Sequence, residues 1–128
     1  MEFRMKDGGF TTDLEYGTLN ISGDEQYGFR PYQLLVSSVA VCSGGVLRKV
    51  LTKMRYPFEN ITVKADVQRN ESEADRVEKI SLRFYIETSQ WDEKKIEKAM
   101  KLTRKNCSMV QSVQASIEVV EEAEWVRV

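Results

Sequence analysis

The chain of 128 residues contains no histidine, and it has only two cysteines and two prolines. Without histidine, a Ser-His-Asp or Cys-His catalytic group, an HExxH zinc site and most zinc fingers are excluded. The phosphate-binding motifs GxGxxG and GxxxxGKS/T are also missing. The two cysteines are therefore the residues to explain, either as inert packing or as redox-active thiols.

The chain has almost no net charge and no long uninterrupted apolar run. Nineteen Lys and Arg oppose 20 Asp and Glu, so nothing in the charge favours nucleic acid or an anionic membrane as partner. The N-terminus, MEFRMKDGG, does not resemble a signal peptide. The most apolar segment, from Pro31, is interrupted by polar residues and glycines, and we expect a buried helix too short and too polar for a membrane span. We expect a cytoplasmic protein with reduced thiols.

Hydrophobic periodicity predicts a single α+β domain over residues 1–128 with the order βββ-α-ββ-α-β. The predicted elements are a strand meander over 1–22, a central helix over 30–55, a hairpin over 59–87, a second helix region over 91–113 and a last strand over 115–122. We expect one antiparallel sheet with one wet face. On the second strand of the hairpin, the residues predicted to face inward are Ile80, Leu82, Phe84 and Ile86.

The first cysteine lies in the segment PYQLLVSSVAVCSGGVL, which has no charged residue in a chain where 30% are charged. Cys42 follows the start of the predicted helix by about three turns. Gly44 and Gly45 come just after it, and a mid-helix glycine costs roughly 1 kcal/mol relative to alanine. Such a pair is tolerated where something approaches the backbone closely. Cys42 is either a small core residue or a reactive thiol.

The second cysteine stands in the sequence KNCSMVQ. Asn106 is a candidate N-cap, so we expect the helix to break and restart there. A thiol in the first turn of the restarted helix would have its thiolate favoured by the helix dipole. Alternatively, Cys107 continues the apolar stripe that begins at Ile96. The two cysteines are 65 positions apart, and the sequence alone does not establish that they meet.

The block FRPYQLLVSSVAVC, the basic end of its helix and the later KNCSMV together resemble the OsmC/Ohr family, the osmotically inducible and organic hydroperoxide resistance proteins. The resemblance covers most of the chain and is closest to the smaller OsmC-like branch. It implies an intertwined homodimer with the cysteine-bearing helices at its centre. It also implies that Cys42 attacks the O–O bond of a hydroperoxide and that Cys107 resolves the product as a disulfide. A lipoyl-type dithiol or a small thiol would restore both thiols, with no metal and no cofactor.

The resemblance also implies an activating pair that this sequence does not match. In active members an arginine from the N-terminal region supports the thiolate, and a glutamate ten residues before the cysteine holds that arginine. Here Tyr32 stands at the glutamate position and Gln33 follows it; both can hydrogen-bond an arginine but cannot hold it by charge. Arg4 and Arg30 are the candidate arginines. These four are the predicted orienting or pocket residues.

Three hypotheses follow. The first is thiol-dependent reduction of organic or other hydroperoxides in oxidative-stress defence. The second is a non-catalytic OsmC-like dimer that binds a small apolar ligand between the helices, which the missing Arg–Glu pair favours. The third is a structural or interaction module in which both cysteines are inert.

Overall fold

A computed structural model describes all 128 residues, and the chain divides into two compact units, residues 1–37 and 38–128. The predicted α+β class and element order are confirmed, and the single-domain organisation stays a prediction. The elements are β1 (Arg4–Lys6), β2 (Gly9–Asp13), β3 (Thr18–Ile21), α1 (Pro31–Lys53), β4 (Asn60–Asn70), a 3-10 turn (Glu71–Glu73), β5 (Arg76–Thr88), α2 (Glu93–Asn106), α3 (Ser108–Val113) and β6 (Glu118–Arg127).

The N-terminal unit contains the predicted meander, with β2 pairing antiparallel to both β1 and β3. The turn between β1 and β2 requires glycine at position 8, where φ is 78°. The ring of Tyr27 also occupies the space that a Cβ at Gly8 would need. Helix α1 begins at Pro31, where the missing proline N–H leaves no hydrogen bond unmade.

The C-terminal unit contains a three-stranded sheet in the order β4-β5-β6. Strands β4 and β5 form the predicted antiparallel hairpin, but β6 pairs parallel to β5. The expectation of a fully antiparallel sheet is therefore wrong for β6. The reason lies in the connection, because helices α2 and α3 carry the chain back along the sheet before β6 begins, and such a crossover gives a parallel pair. Strand β6 also extends through the acidic tail, beyond the predicted 115–122.

The core of this unit forms around β5, whose predicted inward residues Ile80, Leu82, Phe84 and Ile86 are at most 1% exposed. Helix α1 contributes Leu47 and Leu51, four residues apart and fully buried. The pattern of burial places the central helix and the central strand of the sheet in one apolar layer. This layer fixes where the cysteine-bearing turn of α1 lies.

Helix α1 is long and apolar enough to cross a membrane by length and composition, with 23 residues and a mean hydropathy of 1.6 in its most apolar window. The expectation that this segment is too short and too polar for a span is therefore wrong on these two criteria. A single such helix is weak evidence of a span, because the core helix of a soluble protein passes the same test.

Candidate redox site

The sulfur of Cys42 lies on α1, half-buried, and faces the start of α3. Its Sγ is 3.7 Å from the hydroxyl oxygen of Ser108. It also accepts hydrogen bonds from the backbone N–H groups of Ser108 and Met109 and from the thiol of Cys107. The two cysteines, 65 positions apart in sequence, are therefore neighbours in the C-terminal unit.

Cys107 occupies the break between the two helices that the sequence predicts. Helix α2 ends at Asn106, and Cys107 is the extended residue that caps α3, with its sulfur 3.5 Å from the N–H of Val110. The predicted cap, Asn106, is thus wrong by one residue. Asn106 still has helical backbone, and its side chain donates to the carbonyl of Leu102 at 2.8 Å. Cys107 is completely buried.

The two thiols have opposite pKa shifts. Burial raises the pKa of Cys42, but the N–H of Met109, the thiol of Cys107 and the hydroxyl and N–H of Ser108 outweigh it, so the pKa lies below its ordinary value. Burial also raises the pKa of Cys107; the N–H of Val110 lowers it, yet donation to a negatively charged Cys42 keeps it high. Of the two alternatives for Cys107, its complete burial agrees with a core residue that continues the apolar stripe, and its raised pKa disagrees with a thiolate favoured by the helix dipole.

The reason for this difference between the two pKa shifts is the direction of the N–H groups at the start of α3. The first amides of a helix have no partner within it and favour negative charge. The N–H of Ser108 acts on the sulfur of Cys42 and not on that of Cys107, whereas the N–H of Met109 lowers the pKa of both thiols. Helix α3, which begins directly after Cys107, therefore stabilises the thiolate of Cys42. Cys42 is the more acidic thiol and the more accessible one.

The four predicted orienting residues lie in the N-terminal unit. Arg30 donates to the hydroxyl of Tyr32 at 3.1 Å and its guanidinium lies 5.1 Å from the ring centre, while its buried Nε has no hydrogen-bond partner. Arg4 pairs with Asp13 at 3.0 Å and is exposed, as is Gln33. The described donors to Cys42 come from residues 107–109, so an orienting role for these four stays a prediction.

An Arg–Glu pair that the sequence analysis missed lies next to the cysteine turn. Ser43, fully buried, donates its hydroxyl to Oε2 of Glu121, whose side chain is only 5% exposed. Oε1 of Glu121 is 3.2 Å from Nη1 of Arg104. The alternation of β6 could have found it, because Glu121 shares a face with Val119 and Ala123. A charged residue on an inward face indicates a buried ion pair.

The glycine pair of α1 has two separate explanations. A Cβ at Gly44 would come within 3.0 Å of the side chain of Val63 on β4, so glycine allows the strand to approach the helix. Gly45 faces open space and lines a groove of about 640 Å³ between α1 and β4. Val41 and Ile61 also line this groove, and Cys42 does not. No cluster of three or more Cys, Asp or Glu side chains is arranged to hold a metal ion.

Comparison with known proteins places this chain in a family. A sequence model described as OsmC-like protein matches residues 22–122, which include both cysteines and the elements that carry them. The chain belongs to the OsmC-like family. No curated protein matches the sequence.

Solved structures share the OsmC-like fold at low sequence identity. A hypothetical protein from Aquifex aeolicus VF5 superposes with a TM-score of 0.86 at 23% identity, covering 99% of this chain and 95% of that one. The OsmC-like protein from Mycoplasma pneumoniae gives 0.82 at 14% identity, covering 99% of each chain. The organic hydroperoxide resistance protein OhrB of Bacillus subtilis gives 0.65 at 18% identity, covering 96% and 95%.

Proposed function

We propose that this OsmC-like protein reduces organic or other hydroperoxides in oxidative-stress defence, with Cys42 as nucleophile and Cys107 as resolving thiol. The observation that carries the proposal is the arrangement of the two sulfurs. Cys42 is half-buried, has a lowered pKa and accepts a hydrogen bond from Cys107, which is fully buried. A nucleophile must be ionised and reachable, whereas a resolving thiol needs only to be adjacent.

The proposed reaction has three balanced steps. The Cys42 thiolate attacks one oxygen of the hydroperoxide, the O–O bond breaks, and the leaving alkoxide takes a proton to become the alcohol, which leaves a sulfenic acid on Cys42. Cys107 then loses its proton and attacks the Cys42 sulfur, which forms the disulfide and releases water. An external dithiol of lipoyl type, or two small thiols, supplies two electrons and restores both cysteines. The cytoplasm would supply that reductant.

The donors at residues 107–109 make the missing activating arginine dispensable in this proposal. A thiolate needs compensation for its desolvation, from either a cation or several aligned donors. Here the hydroxyl and N–H of Ser108 and the N–H of Met109 supply it. Ser108 can contribute two hydrogen bonds to Cys42, because its side chain carries a hydroxyl and its backbone N–H, at the start of α3, has no partner within that helix.

The test is peroxide-dependent disulfide formation. The reduced protein is mixed with tert-butyl hydroperoxide or hydrogen peroxide, and we expect a mass loss of about 2 Da with no loss in Cys42→Ser, as the disulfide chemistry requires. Cys107→Ser should instead gain about 16 Da as the sulfenic acid accumulates. With dithiothreitol or dihydrolipoamide present, the unmodified chain should turn over and Cys42→Ser should not. Turnover by Cys42→Ser, or an unchanged mass of the wild-type protein, would overturn the proposal.

We also propose that two copies form the functional unit. The N-terminal unit exposes several large apolar side chains, among them five that are each at least 46% exposed: Phe3, Met5, Phe10, Tyr27 and Phe29. On the apolar helix α1, Val41 is 73% exposed. Exposed apolar side chains that form a continuous patch are typical of a surface that binds another protein, and we propose that these are covered by a second copy. Light scattering should give twice the chain mass of 14.8 kDa, and the monomer mass at micromolar concentration would contradict the dimer.

The groove beside Gly45 supports a second candidate function, binding of a small apolar ligand without catalysis. Its apolar lining of Val41, Ile61 and Val63 comes from α1 and β4, away from the thiols, and Arg48, Glu59 and Asn60 also line it. Native mass spectrometry of the purified protein should then show a bound small molecule that survives in Cys42→Ser. If no ligand is bound and the disulfide forms when peroxide is added, the ligand-binding candidate is wrong and only the catalytic proposal remains.

A further inference from the structure

A hydrogen-bonded network of four polar side chains lies next to the two thiols. It links the helices that carry the thiols with strand β6. Ser43 on α1 donates to Glu121 on β6, and Glu121 pairs with Arg104 on α2. Arg104 also donates to the carbonyl of Val119 at 2.8 Å. The side chain of Gln111 on α3 donates to the carbonyl of Arg104 at 3.0 Å, across the helix break.

The two ends of this network are Ser43, one residue from Cys42 in sequence, and Gln111, four residues from Cys107. We propose that Glu121 is a positioning residue that sets the reactivity of Cys42 by fixing α1 against the α2–α3 break. Glu121 touches neither sulfur in the described contacts. Its two carboxylate oxygens instead hold Ser43 and Arg104, so one buried carboxylate fixes both sides of the redox pair.

The geometry at Cys42 is sensitive enough for such control to matter. The contact between Cys42 Sγ and Ser108 Oγ is 3.7 Å, already long for a hydrogen bond to sulfur. Rotating α1 by about 15° would move each Cα by roughly 0.6 Å, given a helix radius of about 2.3 Å, and would move the sulfur further. The Ser43 hydroxyl is the side-chain bond that opposes this rotation in the cysteine turn. Losing it would misalign Cys42 with several donors together.

The inference deepens the proposed function, and its test is independent of peroxide. In reduced protein, the rate of Cys42 alkylation by iodoacetamide is measured from pH 6 to pH 10, with peptide mass spectrometry to separate Cys42 from Cys107. The variants are Ser43→Ala, Glu121→Ala and Glu121→Gln. The matched control is Thr103→Val, which removes a buried hydroxyl bonded to the carbonyl of Ala99 on the same helix α2 but outside this chain of contacts.

We expect Ser43→Ala and Glu121→Ala to shift the pH midpoint of alkylation upward and to slow the reaction at pH 7 by about fivefold, as expected for one lost hydrogen bond. Glu121→Gln keeps an acceptor for Arg104 and a donor toward Ser43, so its rate should fall between wild type and Glu121→Ala. Thr103→Val should stay within about twofold of wild type, although it loses a buried hydrogen bond of similar worth.

Circular dichroism and tryptophan fluorescence establish that each variant is folded. A merely structural role for Glu121 would change the stability of the protein without moving the pH midpoint of Cys42 alkylation. If Glu121→Ala does not fold, Ser43→Ala decides the question, since it removes a single hydroxyl. An unchanged midpoint in folded Ser43→Ala would overturn the inference, as would an equal shift in Thr103→Val. The proposed peroxide reaction could still hold in either case, because no hydroperoxide enters this assay.

Discussion

Oxidation of Cys42 and Cys107 to a disulfide should stabilise the folded protein. Each thiol shifts the pKa of the other, so the two lie close together in the reduced state, and we expect the disulfide to form with little movement of the backbone. The covalent link would mainly restrict the unfolded chain, in which residues 65 positions apart otherwise separate freely. A disulfide between distant residues removes more chain entropy than one between near neighbours.

The size of the effect follows from that separation. Loop-closure entropy for about 65 residues corresponds to roughly 4 kcal/mol at 25 °C. The sulfurs lose their hydrogen bonds to residues 107–110 on oxidation, which subtracts about 1–2 kcal/mol. The free energy of unfolding should therefore rise by about 2–3 kcal/mol. For a chain of this length that corresponds to an increase in Tm of roughly 7–11 °C.

Urea unfolding followed by tryptophan fluorescence measures this difference, with protein reduced by dithiothreitol compared with protein oxidised by diamide. The loss of about 2 Da in intact mass establishes that the oxidised sample holds the disulfide. Both samples are kept at one protein concentration, because association would itself change the midpoint. Cys42→Ser is the control, and diamide should leave its stability unchanged. An oxidised protein no more stable than the reduced one would refute the reasoning, as would failure of diamide to form the bond.

Three further predictions test the thiol and the core. Ser108→Ala should slow Cys42 alkylation at pH 7 by about threefold to tenfold, since it removes one donor to a charged sulfur, and an unchanged rate would contradict the assigned contact. Because the pKa of Cys42 is lowered by folding, its contribution to stability should be complete above the unfolded thiol pKa of about 8.5 and be lost as pH falls through the folded pKa. The stability difference between wild type and Cys42→Ser in urea should therefore grow with pH, and a difference that shrinks would be the opposite sign. Phe84→Ala should cost about 3–5 kcal/mol in urea unfolding, because Phe84 is fully buried; a loss under about 1 kcal/mol would contradict its place in the core.

The fold could be predicted from the sequence wherever the periodicity is local. Alternation along β5 identified its buried face, and the apolar segment from Pro31 identified α1. The direction of β6 could not be obtained this way, because alternation is the same for parallel and antiparallel strands. The parallel pairing depends on how α2 and α3 cross the sheet, which is a tertiary property.

The sequence offers candidate residues for the site, but it does not predict the electrostatics around them. The resemblance selected Cys42 and Cys107, but which sulfur receives the amides of α3 depends on a position only one residue from the expected cap. A shift from Asn106 to Cys107 as the capping residue turns the N–H groups of residues 108 and 109 toward α1. Boundaries of this kind are the least certain part of any helix assignment. The contact between Ser43 and Glu121 could not be predicted either, because it depends on how α1 and β6, far apart in sequence, pack together.

The capping role of Cys107 gives the break between α2 and α3 a second property. The sulfur that would join the disulfide is the same atom that receives the amide of Val110. Once both sulfurs are neutral and bonded to each other, the first amides of α3 lose their anionic acceptor, and this single turn should fray. Amide hydrogens at positions 108–110 would then exchange with solvent faster after oxidation than before. A reductant arriving at the surface would meet a loosened segment only when there is a disulfide to reduce, so the local order around residue 108 would report the redox state of the protein.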